Sequence, residues 1–263
     1  MRFLRNIIKY RKYIVYAGIT ELKAEVAGSY LNWLWWIVEP ICFMFIYSLV
    51  FGVFFGSKIE HFNLFVYIGI TLWDFFRRML TSSVRLVKNN KSVVAKVYIP
   101  KYILIFVKMF VNGFKMMICF IIMFLMLVFT GIGFSWKLLY LVPIILIMCV
   151  FTFGFCSILL HFGVYIDDLH KLITIALRMI MYLTGVFYDV VARVSSNLGN
   201  EIAMLIVRFN PMASTLIAAR SAAFYQKTPD FTYLFDWLVV GLVLSIIGVV
   251  LIDHHENDYV KVI

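Results

Sequence analysis

Charged residues are scarce in this chain. Asp, Glu, Lys and Arg make up 14% of the 263 residues, hydrophobic residues make up 63%, and the mean hydropathy is +0.95. Ordinary water-soluble domains carry about 25% charged residues and a smaller apolar fraction. The scarcity of charge therefore excludes a soluble globular domain. It predicts an all-α polytopic membrane protein, because helices satisfy their own backbone hydrogen bonds in lipid.

Metal-binding patterns are also missing from the sequence. The four cysteines fall in hydrophobic runs without the paired spacing of metal ligands, so we expect reduced packing residues and no metal site. They are Cys42, Cys119, Cys149 and Cys156. The pair His254-His255 near the C-terminus is expected in a solvated cytoplasmic tail rather than in a metal site.

Long apolar runs dominate what is present. A bilayer core of about 30 Å requires roughly 20 mostly apolar residues per helix, and six runs meet that requirement. They lie near residues 30–56, 62–86, 102–130, 137–165, 171–191 and 231–252. The sequence therefore predicts six transmembrane helices.

The basic residues predict the orientation. Residues 1–28 carry six cations among apolar residues at helical spacing, which indicates a helix lying in the inner interface; a plain positive-inside anchor is the alternative. With the N-terminus inside, the inner flanks hold thirteen Lys and Arg residues and the outer flanks hold six. Both termini are therefore expected in the cytoplasm.

A short basic amphipathic stretch, Val87–Lys101, lies between two apolar runs and ends next to a proline. We call this stretch the basic handle. It is predicted to be cytoplasmic, and a partner that grips it would have to drive whatever the membrane part does.

Five cations fall inside the predicted spans, where a charge is costly and usually faces a protein interior, a watery cavity or a partner. They are Arg77, Arg78, Lys108, Lys115 and Arg178. Asp74, Arg77 and Arg78 begin a polar face on the second span, and Lys108 and Lys115 lie on one face of the third. We expect these stripes to converge on an anion site for a headgroup or diphosphate. The alternative is that Lys108 snorkels to the interface and Asp74 neutralises Arg78.

The segment 192–229 is too polar and too interrupted for a seventh span. Its apolar pieces, Ile202–Phe209 and Met212–Phe224, are separated by Asn210-Pro211, where proline disfavours a continuous helix. We expect two short helices dipping into or lying on the outer face. Arg208 and Arg220 would then belong to an outer gate or vestibule, or to plain interfacial loop helices.

Several motifs follow one another in a particular order. They are Gly28-Ser29-Tyr30-Leu31-Asn32-Trp33-Leu34-Trp35-Trp36 leading to Pro40, then Val97-Tyr98-Ile99-Pro100-Lys101, Thr184-Gly185-Val186-Phe187-Tyr188, Asn210-Pro211-Met212 and Arg220. Together with the N-terminal interfacial helix, this series resembles the membrane subunit of type-2 ABC exporters of the polysaccharide branch, which includes exporters of O-antigen, capsule and wall teichoic acid. The resemblance covers nearly the whole chain.

The resemblance implies how the chain is organised. Residues 1–29 would form an interfacial gate helix, and residues 30–191 the first five spans with a coupling helix at 87–101. Residues 192–229 would form re-entrant outer gate helices, and residues 230–263 the last span and a cytoplasmic tail. The residues implied in ATPase coupling are Asn90, Lys91, Lys96, Tyr98 and Pro100; those of the outer gate are Phe187, Tyr188, Asn210, Pro211 and Arg220.

The resemblance also implies a function. Two such permeases and two ATPases would export a lipid-linked glycan across the bacterial cytoplasmic membrane, within membrane lipids and with no nucleic-acid partner. The chain has no Gly-x-x-x-x-Gly-Lys-[Ser/Thr] phosphate loop, so it is not expected to be an enzyme; ATP and Mg²⁺ would bind the partner subunit. The substrate path would contain the five intramembrane cations, Asp74 and Trp73, whose ring could slide along sugar faces.

The chain departs from the family pattern in three places. The family usually has Leu-Gly where this chain has Leu31-Asn32, an Arg-Asp pair where it has Ile166-Asp167, and proline where it has Gly185. The missing arginine leaves a pairing role for Asp167 in question.

Two other functions stay open at this point. A drug or lipid exporter of the same broad ABC type would share the topology and the basic handle. A membrane-embedded enzyme acting on lipid carriers would need a reactive cluster, for which Asp167, Asp168 and His170 are isolated candidates.

Overall fold

The computed structural model describes residues 2–28, 31–56, 59–94 and 96–262. Within these ranges every regular element is helical, which confirms the predicted all-α class. The helices are α1 (Arg2–Val26), α2 (Asn32–Tyr47), α3 (Phe62–Val84), α4 (Leu86–Asn89), α5 (Lys91–Val94), α6 (Tyr102–Phe129), α7 (Leu141–Tyr165), α8 (Leu169–Leu183), α9 (Val190–Leu198), α10 (Asn200–Phe209), α11 (Pro211–Ala223) and α12 (Thr232–Val262). A π-helical stretch, Ser48–Phe54, extends α2, and a 3₁₀ turn, Trp136–Tyr140, leads into α7.

Four of the described helices are long and apolar enough to cross a membrane. They are Asn32–Phe54, Lys101–Phe129, Trp136–Tyr165 and Thr232–Glu256. Helices also lie at the other two predicted spans, but α3 carries three charged residues near its middle and α8 has only 15 residues, about 22 Å at 1.5 Å per residue. The chain is therefore a multi-pass membrane protein, and a count of six spans stays a prediction.

Helix α3 is at the centre of the core and packs against α2, α6, α7, α8 and α11. Its segment from Leu64 to Trp73 is buried on all sides, which agrees with its lack of a polar face there. A helix that is apolar all round is stable only when other helices or lipid cover it. The charged residues of α3 begin at Asp74, so they all lie in its C-terminal half.

Helices α7 and α12 pack closely against each other. A Cβ built on Gly241 of α12 would lie 2.6 Å from the Cα of Phe151, and one on Gly154 of α7 would lie 2.8 Å from the carbonyl oxygen of Gly241. Glycines let two backbones approach each other, which is how helices associate in lipid without a hydrophobic driving force. The glycines therefore fix the distance between these helices.

Helix α1 packs one apolar face against α6, where Gly18 lies under the ring of Phe110. A second apolar stripe, Leu4, Ile8, Val15 and Ile19, is exposed. Exposed apolar residues at helical spacing next to cations suit the boundary between headgroups and acyl chains. The predicted interfacial helix is thus present as a helix, and its position in the membrane stays a prediction.

Three expectations about local structure need correction. The C-terminal region is a packed helix with one solvated side: α12 continues to Val262 and buries Tyr259, whose hydroxyl lies 2.7 Å from Nδ1 of His161, while His254 is exposed and His255 half-buried. The basic handle contains two separate one-turn helices, α4 and α5, instead of a single helix. Segment 192–229 contains three helices, with α9 preceding the two that were expected. Ser29 and Tyr30, in the run from Gly28 to Trp36, lie outside the described residues.

Candidate functional site

Charged side chains of α1, α3 and α6 line a cavity of about 410 Å³. We call it the charged cavity. Its lining contains Glu21, Glu25, Arg78, Thr81, Ser82, Arg85, Asn89, Lys108, Val111, Asn112 and His170. A smaller pocket of about 30 Å³ shares Arg78 and Asn112 with it and reaches Asp74 and Lys115. The structure therefore brings the polar stripes of the second and third predicted spans together, as the sequence predicts.

The arginines of α3 are held by carboxylates. Arg77 donates to Asp74 Oδ1 at 2.9 Å, and Arg78 donates to Glu39 Oε2 of α2 at 2.9 Å. Arg78 also lies 3.5 Å from Asp74 Oδ2, so the expected Asp74–Arg78 pair exists but is the longer of its two ion pairs. Asp74 thus bridges two arginines, and Glu39 ties α2 to α3.

The lysines of α6 are held by helix α1. Lys108 forms an ion pair with Glu21, and Lys115 forms one with Glu25 at 2.6 Å. The ammonium group of Lys115 also lies over the ring of Trp36, 5.3 Å from its centroid. Lys108 is therefore held by a carboxylate of α1, and its snorkelling to the membrane interface stays a prediction.

Sequence reasoning missed the three glutamates of this site, Glu21, Glu25 and Glu39. A signal was available for two of them, because Glu21 and Glu25 are four residues apart and so share a face of α1. The distance along the chain to Lys108 and Lys115 hides the pairing. The carboxylates offset most of the positive charge that the sequence places in the cavity.

Arg85 differs from the other cations of the charged cavity. It is exposed, and within the described ranges it forms no ion pair with a carboxylate. Because the remaining cations are already paired, Arg85 is the group best placed to meet an incoming anion first.

Three of the predicted path residues, Trp73, Arg77 and Arg178, line neither the charged cavity nor the smaller pocket. Trp73 is 2% exposed in the core, with its ring centroid 5.9 Å from that of Phe76. Arg178 is exposed on α8 among apolar neighbours such as Ile175 and Met179.

The basic handle is anchored at its end by several helices. Tyr98 donates its hydroxyl to Glu256 of α12, its carbonyl accepts a bond from Tyr10 of α1, and the ammonium of Lys101 lies 5.5 Å from its ring centroid. The bond to Glu256 raises the pKa of Tyr98 to about 12, because a phenolate would face the carboxylate. The basic handle therefore contacts both the first helix, α1, and the last helix, α12.

The other handle residues divide into exposed and structural ones. Lys91 and Lys96 are exposed, as are Val97 and Tyr98, whereas Pro100 is buried. Asn90 donates to the carbonyl of Leu86 at 2.8 Å and so closes α4. The exposed part is a small surface with both basic and apolar side chains.

The handle is also bound to the α7–α8 loop. Lys88 donates to Asp167, and this bond lowers the pKa of the Asp167 carboxyl. Asp167 thus has a pairing partner despite the missing arginine. Asp168 pairs with Lys171 at 3.1 Å and is exposed, while His170 lines the charged cavity. No group of metal-binding side chains occurs within the described residues, and these three do not form a reactive cluster.

A second polar cluster surrounds Arg220 of α11, which is 4% exposed. Its guanidinium donates to the carbonyl oxygens of Phe65, Gly185 and Val186 at 3.1, 2.8 and 2.7 Å, and it lies 3.5 Å from the Phe65 ring centroid. Gly69 leaves room for it, since a Cβ there would lie 2.6 Å from Nη2 of Arg220. Arg220 therefore fastens α11 to α3 and to the loop after α8.

The other predicted gate residues support the same junction. Asn210 caps α11 by accepting from the amides of Met212 and Ala213, and its amide donates to Thr184 at 2.9 Å. Phe187 is buried against Phe51, with ring centroids 5.1 Å apart. Tyr188 donates its hydroxyl to the carbonyl of Tyr182, and Pro211 is the first residue of α11. Helices α10 and α11 meet at 102°, as expected for a break at Asn210-Pro211.

The chain was also compared with known proteins. No family model matches it. It is 24% identical over 245 residues to the O-antigen export system permease protein RfbA of Myxococcus xanthus, covering 93% of this chain and 92% of that protein. It is 22% identical over 244 residues to a protein of the same name from Klebsiella pneumoniae, covering 92% of each. These relatives confirm, across nearly the whole chain, the resemblance to permease subunits of type-2 ABC exporters of the polysaccharide branch.

Proposed function

We propose that this chain is the transmembrane subunit of an ATP-driven ABC exporter that moves a lipid-linked polysaccharide across the bacterial cytoplasmic membrane, with both termini in the cytoplasm. The observation that carries the proposal is the similarity, over more than nine-tenths of the chain, to proteins named O-antigen export system permease. The charged cavity fits this role, because a lipid-linked glycan carries its phosphate groups where lipid and sugar meet.

The ATP-binding partner would hold the basic handle. Lys91, Lys96, Val97 and Tyr98 form an exposed surface, and an apolar centre with basic neighbours suits a groove on an acidic or mixed protein surface. A push on this surface would reach α1 and α12 through Tyr98, which contacts Tyr10 and Glu256. ATP and Mg²⁺ would bind the partner and not this chain.

A second copy of the chain would complete the path. Arg178 is exposed on α8 between exposed apolar residues, and an arginine facing lipid inside a membrane is costly. The cost is avoided if a second copy of the chain covers this face of α8, or if the face lines a water-filled path. A homodimer with its path at the two-fold axis is the simplest closed arrangement.

The first experiment is co-purification from the native host in mild detergent. We expect a stoichiometric ATPase with a phosphate loop, lost when Lys96 and Val97 of the handle are replaced by Glu and Asp. The matched control is Lys137→Glu, outside the handle. A chain that purifies without any ATPase, in the wild type as in the variant, contradicts the exporter function.

The substrate is tested in the purified complex. A polyprenyl-diphosphate-linked glycan should stimulate ATP hydrolysis, whereas stimulation by phospholipids or drugs alone would favour the lipid or drug exporter. Arg77→Gln with Arg78→Gln should abolish export while membrane insertion stays normal. Unchanged export in that double variant contradicts a role for these arginines in the substrate path.

A further inference from the structure

Two ion pairs join α1 to α6 beside the charged cavity. Glu21, Glu25 and Lys108 line the cavity itself, and Lys115 lines the smaller pocket that shares Arg78 and Asn112 with it. Glu21 and Glu25 are one turn apart on α1, and Lys108 and Lys115 are two turns apart on α6, so both pairs join the same two helices. Apolar side chains of the two helices, among them Leu22 of α1 and Phe110 of α6, line a groove next to these pairs. The glutamates therefore place carboxylate oxygens where a ligand's anionic oxygens would bind.

These ion pairs are open to exchange. The side chains of Lys108 and Glu21 are 24% and 27% exposed, and the pair lines a cavity large enough for a headgroup. Partly exposed ion pairs are weak because water competes with each partner. A phosphate carries more charge than a carboxylate and three acceptor oxygens, so it binds the same cations more strongly.

Arg85 provides the approach to this position. It lines the charged cavity and makes no direct ion pair within the described residues, acting only through its charge on Asp167, whereas Lys108 in the same cavity is paired. An anion that is drawn to Arg85 comes next to the Lys108–Glu21 pair. Binding and displacement can then occur in one cavity.

We infer that Glu21 and Glu25 are built-in substitutes for an anionic ligand, and that a phosphate or diphosphate group binding Lys108 and Lys115 displaces them and releases α1. The proposed function supplies the source of that group, the diphosphate of a lipid-linked glycan. The site itself depends only on the geometry of the cavity. Helix α1 also contacts the basic handle, through the hydrogen bond from Tyr10 to the Tyr98 carbonyl. Release of α1 therefore couples ligand binding in the charged cavity to the handle.

Binding can be measured with an intrinsic reporter. The purified protein is placed in nanodiscs of neutral phosphatidylcholine, and Trp36 fluorescence is followed because the Lys115 ammonium lies over its ring. The probes are free inorganic diphosphate, a polyprenyl diphosphate and phosphatidylglycerol. The signal change should disappear in Trp36→Phe and in the double variant Lys108→Gln, Lys115→Gln.

Displacement makes a prediction that simple binding does not. Replacing Glu21 and Glu25 by Gln removes the competing carboxylates. The probe concentration at half of the maximal fluorescence change, the midpoint, should therefore fall by about tenfold, which is within the usual range of coupling between sites. Glu201→Gln, at an exposed position on α10 away from the cavity lining, is the control and should leave the midpoint unchanged. If the Gln double variant does not fold, the double variant Glu21→Asp, Glu25→Asp is used instead. Its side chains are shorter at the same charge, so the ion pairs to Lys108 and Lys115 weaken and the probe should again bind more tightly than in the wild type.

Release of α1 is measured by hydrogen exchange. Bound probe should speed exchange of α1 amides in the wild type and have little further effect in the Gln double variant. A midpoint that is the same in wild type and Gln variant, or unchanged α1 exchange, overturns the displacement mechanism. A response to the polyprenyl diphosphate indicates that the ligand is a lipid-carrier diphosphate. A response that is limited to free diphosphate or to phosphatidylglycerol supports the site but assigns it to free anions or to phospholipid.

Failure of the proposed function looks different. In that case no ATPase co-purifies with the chain, while the fluorescence and exchange responses to diphosphate persist. A chain that co-purifies with its ATPase but binds no probe in any variant overturns this inference and leaves the proposed function in place.

Discussion

Replacing Arg220 by methionine tests how the outer junction is held together. The guanidinium is buried and donates four hydrogen bonds to three carbonyl groups of two other segments. Methionine fills the space of the aliphatic stem but donates nothing. The carbonyls of Gly185 and Val186 then lose these donors in a place that water does not reach freely.

The magnitude follows from those two acceptors. An unsatisfied buried hydrogen-bonding group costs about 1–3 kcal/mol, which gives about 2–6 kcal/mol for two. Removing a buried charge also removes its desolvation cost, which offsets part of the loss. We therefore expect about 2–3 kcal/mol of destabilisation, and about 2–4 °C of melting temperature per kcal/mol for a chain of this size.

The assay is thermal unfolding in detergent, followed by intrinsic tryptophan fluorescence. The matched control is Arg208→Met on the neighbouring helix α10, where the arginine is 61% exposed and has one ion pair, at 3.7 Å to Asp236. Such a pair contributes about 0–1 kcal/mol. Arg220→Lys should fall between the two, because an ammonium keeps the charge but lacks the planar fork that reaches several carbonyls.

Equal melting temperatures for Arg220→Met and Arg208→Met refute the reasoning. That result would mean that the junction of α11 with α3 depends on apolar packing alone. A loss of export in Arg220→Met at unchanged melting temperature would instead assign Arg220 to gating and not to stability.

Two further predictions concern packing and ionisation. Gly241→Ala places a methyl group 2.6 Å from the Cα of Phe151 and should destabilise by about 1–3 kcal/mol in the same thermal assay, whereas Gly113→Ala, with nothing within 4 Å, should be neutral or slightly stabilising. Tyr98 has a raised pKa, so its contribution to stability is present below pH 10 and is lost as the pH rises through about 12. In Glu256→Gln the phenol should ionise at lower pH, seen as earlier tyrosinate absorbance relative to Tyr98→Phe; an unchanged titration would show that Glu256 does not set this pKa.

Much of the fold could be predicted from local patterns. The apolar runs predict helices at all six positions, and the break at Asn210-Pro211 appears where proline cannot continue a helix. These features depend on residues within a few positions of each other. The handle and the C-terminal region were harder, because their structure depends on contacts such as Tyr98–Glu256 that join residues far apart in the chain.

The charged site shows the same limit more clearly. The sequence predicts that Arg78, Lys108 and Lys115 share a cavity, because charges at membrane depth must face one. It does not reveal that α1 and α2 bring Glu21, Glu25 and Glu39 to them, so it overestimates the positive charge there. Trp73 was predicted on the substrate path, yet its side of α3 faces the core.

The sequence by itself determined the membrane class, the helical runs and the resemblance to polysaccharide exporters, since composition and local spacing carry that information. Only the tertiary structure decided which carboxylate meets which cation, and which carbonyl groups Arg220 binds beside the pocket of about 260 Å³ that it lines. The physical reason is that an ion pair or a buried hydrogen bond depends on a distance of about 3 Å between atoms from different helices. Helix packing sets that distance, and no single segment of the chain contains it.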